Sequence, residues 1–85
     1  MIIHLKEYPM KAINPDYPTL VKEVRGQLAL SQEDLARELG VSYATVNRWE
    51  NGQSKPSKLA RTQLDAFCER MMEAGRLSLP ETYRV

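Results

Sequence analysis

The sequence predicts a small all-α fold, and three observations point to it. Apolar residues recur at three- and four-residue spacings from Leu20 to Leu28 and again from Ala60 to Ala74, the period of helices with one buried face. Ser31, Ser42 and Ser57 stand where caps would open three helices, and Gly40, Gly52 and Gly75 where left-handed residues would close them. At 85 residues the chain fits one domain and is too short for a second independent core.

Residues 1–16 read as an extension ahead of that domain. Pro9, Pro15 and the Asn14-Pro15 pair bias the residues before them away from the α region, so helix is expected only afterwards. Ile3 and Leu5 alternate with His4 and Lys6, which suits a short strand. The first helix is expected from Tyr17 or Thr19 to Leu28, with Leu20, Val21, Val24 and Leu28 on its core face. Gly26 inside it costs roughly 1 kcal/mol against alanine, which points to a weak helix end or a close neighbour.

The second helix has the fullest start signal. Ser31 can cap it, Asp34 follows three residues on, and Leu30 and Leu35 occupy the two positions of a hydrophobic staple, while Gly40 stops it. A third helix starts at once, because Ser42 repeats the cap and Val41 with Val46 repeats the staple; it should run to about Asn51, with Gly52 as terminator. Two short helices joined only by residues 40–42 cannot lie antiparallel, and such a turn with a glycine is the mark of a helix-turn-helix. After a polar loop at residues 52–56, Ser57 caps a longer helix reaching about Ala74. Its stripe Ala60, Leu64, Phe67, Met71, Ala74 either closes the monomer core or adds a dimer contact. Residues 17–75 thus form the domain, and residues 76–85 a tail or a final short strand.

Composition narrows the function. The one cysteine, Cys68, allows no intramolecular disulfide, and no Cys/His set resembles a zinc site, so a reducing cytoplasmic setting without metal or cofactor is expected. The opening run Met1 to Glu7 is broken by charge too early for a signal peptide. No apolar stretch approaches the roughly 20 residues that span a membrane. A net charge of +1 is low for a chain that neutralises phosphates, but its distribution is uneven. Glu33, Asp34 and Glu38 make residues 31–41 acidic, whereas residues 42–61 hold Arg48, Lys55, Lys58 and Arg61 against Glu50 alone.

Taking about 100° per residue along the third helix, Val46, Trp49 and Glu50 fall on one side and Ala44, Asn47, Arg48 and Asn51 around the other. The outward set is short and polar, which suits entry into a DNA major groove about 12 Å wide. Arg48 can pair with guanine through two hydrogen bonds, and Asn47 can bond adenine or phosphate. Thr45 and Ala44 can meet a thymine methyl, and Tyr43 can reach phosphate or base from the helix start.

The run from Leu30 to Ser42, Leu-Ser-Gln-Glu-Asp-Leu-Ala-Arg-Glu-Leu-Gly-Val-Ser, followed by Tyr-Ala-Thr-Val-Asn-Arg-Trp-Glu-Asn-Gly, resembles the Cro/phage-repressor (XRE) family of helix-turn-helix domains. The resemblance extends from about Thr19 to Phe67. It implies a lambda-repressor-like domain of four to five helices that binds double-stranded DNA, as a homodimer on half-sites about one helical turn apart. It implies base reading by Tyr43, Ala44, Thr45, Asn47 and Arg48, and phosphate contacts by Gln32, Ser42, Asn51, Lys55 and Lys58. Tyr43 and Ala44 depart from the glutamines of well-known phage repressors, so the operator sequence does not carry over. Glu50, on the inward side of its helix, needs a partner. Family members pair the positions matched by Arg25 and Glu50, which implies a structural ion pair here.

The expected function is a transcriptional regulator, a repressor, and not an enzyme. His4 is the only histidine, Cys68 lies on a core stripe, and no glycine-rich phosphate loop follows a strand. The rival is an interaction module that holds a partner protein, such as the antitoxin of a toxin-antitoxin pair. It draws on the Tyr, Ile, Leu and Val scattered through residues 1–16 and 76–85.

Overall fold

The computed structural model describes residues 16–80. Among them are four helices and no strand: α1 Tyr17–Leu28, α2 Gln32–Leu39, α3 Tyr43–Glu50 and α4 Lys58–Glu73. The strand suggested at Ile3 and Leu5 lies outside the described residues. No described helix is long and apolar enough to cross a membrane.

Helix α1 starts at the earlier of the two expected positions because Asp16 caps it. Its carboxylate accepts from the Thr19 backbone N–H at 3.3 Å and from the Thr19 hydroxyl at 2.7 Å. Pro18 falls in the first turn, where its missing N–H leaves no bond unmade. At the other end the backbone N–H of Leu30 bonds the Arg25 carbonyl at 2.9 Å, and Ala29 takes the left-handed conformation at φ 56°. Gly26, three residues earlier, is exposed, and a Cβ there would meet nothing within 4 Å among the described residues, so no close neighbour there explains it.

Helix α2 carries the expected reciprocal cap. The Ser31 hydroxyl accepts from the Asp34 N–H at 2.9 Å, while the Asp34 carboxylate accepts from the Ser31 N–H at 3.1 Å. The bond from the Ser31 N–H foremost, and the nearby Ser31 hydroxyl, hold the Asp34 carboxyl below its ordinary range. Gly40 ends the helix at φ 73°, and Ser42 caps α3 by accepting from the Thr45 N–H at 3.1 Å.

Helix α3 packs against both α1 and α2, and α4 closes over α2. Trp49, Leu35, Leu64, Val21, Val24 and Val46 are fully buried at the centre. Along α4, Ala60, Leu64 and Phe67 face the core as the spacing predicts, with Cys68 beside them and Met71 half-buried. Ala74 does not join that stripe: the helix ends at Glu73, and Ala74 is exposed as the chain turns into left-handed Gly75.

Residues 76–80 form no strand but return to α1. Leu77 is buried and Leu79 packs on the core edge. The Gln27 side-chain amide takes the place of a neighbouring strand, donating to the Ser78 carbonyl and accepting from the Ser78 N–H, both at 2.9 Å.

Candidate nucleic-acid interface

Position on α3 decides which of its side chains can meet a partner. Eight residues are too few for a stable helix in isolation, so α3 owes its placement to the groups it buries: Val46, Trp49 and Glu50. Opposite them Ala44, Arg48 and Asn51 are exposed, Tyr43 is 55% exposed on one flank, and Thr45 and Asn47 are half-buried. Arg48 has no hydrogen-bond or ion-pair partner among the described residues, and the same holds for the exposed side chains of Lys55 and Lys58. All three cations lie on α3, the loop after it or the first turn of α4.

Glu50 anchors the inner side of α3. Arg25 of α1 grips it with two parallel bonds, Nε to Oε2 at 2.6 Å and Nη2 to Oε1 at 3.0 Å, and turns Nη1 onto the Leu30 carbonyl at 3.0 Å. Gln32, at the start of α2, adds a third bond from its Nε2 to Glu50 Oε1 at 2.9 Å. Burial pushes the Glu50 carboxyl up, but the bonds from Arg25 and Gln32 and the charges of Arg25 and Lys22 outweigh it, holding it below its ordinary value. Arg25 itself is held further up, chiefly by its bond to Glu50.

Gln32 therefore faces two ways. Behind it lies Glu50; in front, Arg25, Ser31, Gln32, Glu33 and Tyr43 line an open cleft of about 580 Å³. At the start of α3 the Ser42 and Thr45 hydroxyls lie 2.9 Å apart, and either can donate to the other. Of the twelve positions singled out in the sequence, Arg25, Gln32 and Glu50 form one hydrogen-bonded cluster, and Ser42 and Thr45 a second. Tyr43, Ala44, Asn47 and Arg48 follow one another around the rest of α3, Asn51 caps its end, and Lys55 and Lys58 border it.

The sequence reading missed two features here. The Gln32–Glu50 bond joins a residue read as a phosphate ligand to one read as structure, and no periodic signal marks it. Leu59, 74% exposed beside Lys58, lies off the Ala60–Leu64–Phe67 stripe, and that offset could have marked it as outward. Cys68 is buried, with its thiol pushed up to about 12 by burial and by nearby Asp65, which leaves it a packed apolar group rather than a nucleophile.

A family model described as helix-turn-helix matches residues 21–59, from within α1 through the turn and α3 to the first turn of α4. No curated protein and no solved structure matches the chain.

Proposed function

Since residues 21–59 belong to the Cro/phage-repressor (XRE) family of helix-turn-helix domains, a DNA-binding regulatory family and not an enzyme family, we propose that this chain is a sequence-specific repressor reading the DNA major groove with α3. The observation that carries the proposal is the outward face of α3, where Arg48 stands exposed between Ala44 and Asn51 with no partner among the described residues. Arg48 would take a guanine through its two parallel N–H donors, and Asn47 an adenine. Tyr43, Ala44 and Thr45 would meet thymine methyls or flanking sugar. Gln32, Ser42, Asn51, Lys55 and Lys58 would bond phosphates and fix the register. One copy reads too few base pairs to be selective, so two copies related by a two-fold axis would share an operator.

The test is fluorescence anisotropy on duplex DNA from the upstream region of the gene and on random duplex, at several salt concentrations, with Arg48→Ala alongside. Salt-sensitive binding that prefers the upstream duplex, with the preference lost in the variant, is expected. If neither duplex binds at low salt, the proposal fails and a partner protein, as in the antitoxin reading, becomes the first thing to look for.

A further inference from the structure

We infer that the Arg25–Glu50 pair is a positioning device for Gln32, aiming its amide into the cleft where it would meet a DNA phosphate; the phosphate role rests on the function proposed above. A glutamine at the start of a helix has three side-chain torsions and, left free, spends little time in any one orientation. Gln32 is held. Its Nε2 donates one hydrogen to Glu50 Oε1 at 2.9 Å, and Glu50 cannot yield because Arg25 clamps both carboxylate oxygens. Glu50 is 5% exposed while Gln32 itself lines the cleft, so the bond ties the Gln32 nitrogen to a buried, fixed acceptor, and the second Nε2 hydrogen remains unbonded among the described residues.

The chemistry of the donors fixes the polarity of the amide. A carboxylate accepts only, so Glu50 selects the NH₂ end of Gln32 and rejects the carbonyl end. The amide end presented beside Glu50 is therefore the one able to bond an anion. Neighbouring groups do not supply this orientation: neither the Ser31 hydroxyl nor Tyr43, across the cleft, makes a hydrogen bond to the Gln32 side chain, whose bond is to Glu50. The ion pair thus links stability of the core to the donor geometry of the cleft.

A double-mutant cycle on duplex binding tests this, with Gln32→Ala on one axis and the joint change Arg25→Met/Glu50→Met on the other, since an apolar pair of similar volume can replace a buried ion pair without unfolding the domain. Gln32→Ala in the otherwise native chain should weaken binding about tenfold, the loss of one bond to a charged group. In the methionine background the same change should cost only about twofold, because an unheld side chain returns much of its bond as lost rotamer freedom. Equal factors in the two backgrounds would overturn the inference.

A second measurement needs no DNA. In the native chain the side-chain ¹⁵N order parameter of Gln32 should exceed those of exposed Gln53 and Gln63, and it should fall to theirs in the methionine pair. Equal mobility of the three glutamines in the native chain would overturn the inference even if the methionine pair failed to fold. If Gln32 is rigid but the native chain binds no duplex, the proposed function fails and the phosphate role with it, while the positioning by Glu50 stands.

Discussion

Replacing Arg25 by alanine isolates the physics of the buried pair. Losing one partner of a well-formed buried ion pair costs about 3–5 kcal/mol, because the survivor stays desolvated without its counter-charge. Glu50 meets that condition, with its side chain 4% exposed, but Arg25 keeps 25% of its side chain in water. Water can enter the space the guanidinium leaves, so about 2–3 kcal/mol is expected at pH 7. For a domain of this size that lowers Tm by about 10–20 °C.

The pH dependence has a definite sign. In the native chain the Glu50 carboxyl lies below its ordinary 4.5, so its contribution to stability is complete above that value and is lost as pH falls through the folded pKa. Without Arg25, burial remains as the largest influence and only the Gln32 bond and the weaker Lys22 charge oppose it, so the folded pKa should rise above the ordinary value. Ionised Glu50 then destabilises the variant at neutral pH, and protonation relieves it. The gap between the two proteins should therefore be widest near pH 7 and shrink as pH falls, first through the variant's raised pKa and then, below 4.5, through the native one. Asp34, held low by Ser31, and Asp65, pushed up by burial, also titrate here with opposite signs, but both proteins share them, so the difference cancels them. Thermal melts by far-UV circular dichroism from pH 3 to 7 provide the measurement. A loss below about 4 °C at pH 7, or a gap constant with pH, would refute the reasoning.

The end of α1 holds a glycine where alanine would fit and an alanine where glycine would fit. Gly26→Ala should add about 0.5–1 kcal/mol by urea unfolding, since the new methyl meets nothing and the unfolded chain loses freedom. Ala29→Gly should add up to about 1 kcal/mol by relieving the left-handed φ of 56°; a loss in either variant would contradict the geometry at that turn. The Tyr17 hydroxyl is buried with no partner among the described residues, so Tyr17→Phe should keep the native stability or gain up to about 1 kcal/mol, and a clear drop would reveal a partner. With its thiol at about 12, Cys68 should react with a disulfide reagent at pH 8 only as the protein opens. A native rate within tenfold of the denatured one would show the thiol to be reachable, since the thiolate fraction alone should slow it about a thousandfold.

What the sequence made legible is what local chemistry decides. Ser31 with Asp34, and Ser42 after Gly40, satisfy helix ends within three or four residues, so the start of α2, the turn and the start of α3 could be read to the residue. The inward set Val46, Trp49, Glu50 followed from period alone. The features that escaped are decided by partners distant along the chain or by a residue type that carries no signal. Ala29 shares its left-handed role with Gly40, Gly52 and Gly75 but has a Cβ, so nothing in its identity announces it. Gln27 and Ser78 lie 51 residues apart, and a helical glutamine standing in for a strand leaves no periodic trace. Gln32 was legible only through the family resemblance, as a phosphate contact at the start of the second helix; its bond to Glu50 depends on how α1, α2 and α3 meet.

That meeting also explains why an ion pair, and not another leucine, lies beneath α3. Val46 and Trp49 bind the helix to the core through dispersion and water exclusion, which are strong but only weakly directional. A short helix held by two apolar groups can roll about its axis with little loss. The paired bonds from Arg25 to Glu50 are directional, and they act in the last turn of α3, on the side away from Arg48. A roll of 10° moves a side-chain tip about 6 Å from the axis by roughly 1 Å, more than the few tenths of an ångström that separate a good hydrogen bond from a poor one. An apolar pair in place of Arg25 and Glu50 can match the stability of the fold. It supplies nothing to stop that roll, and the base selectivity proposed for Arg48 would be lost before the domain itself.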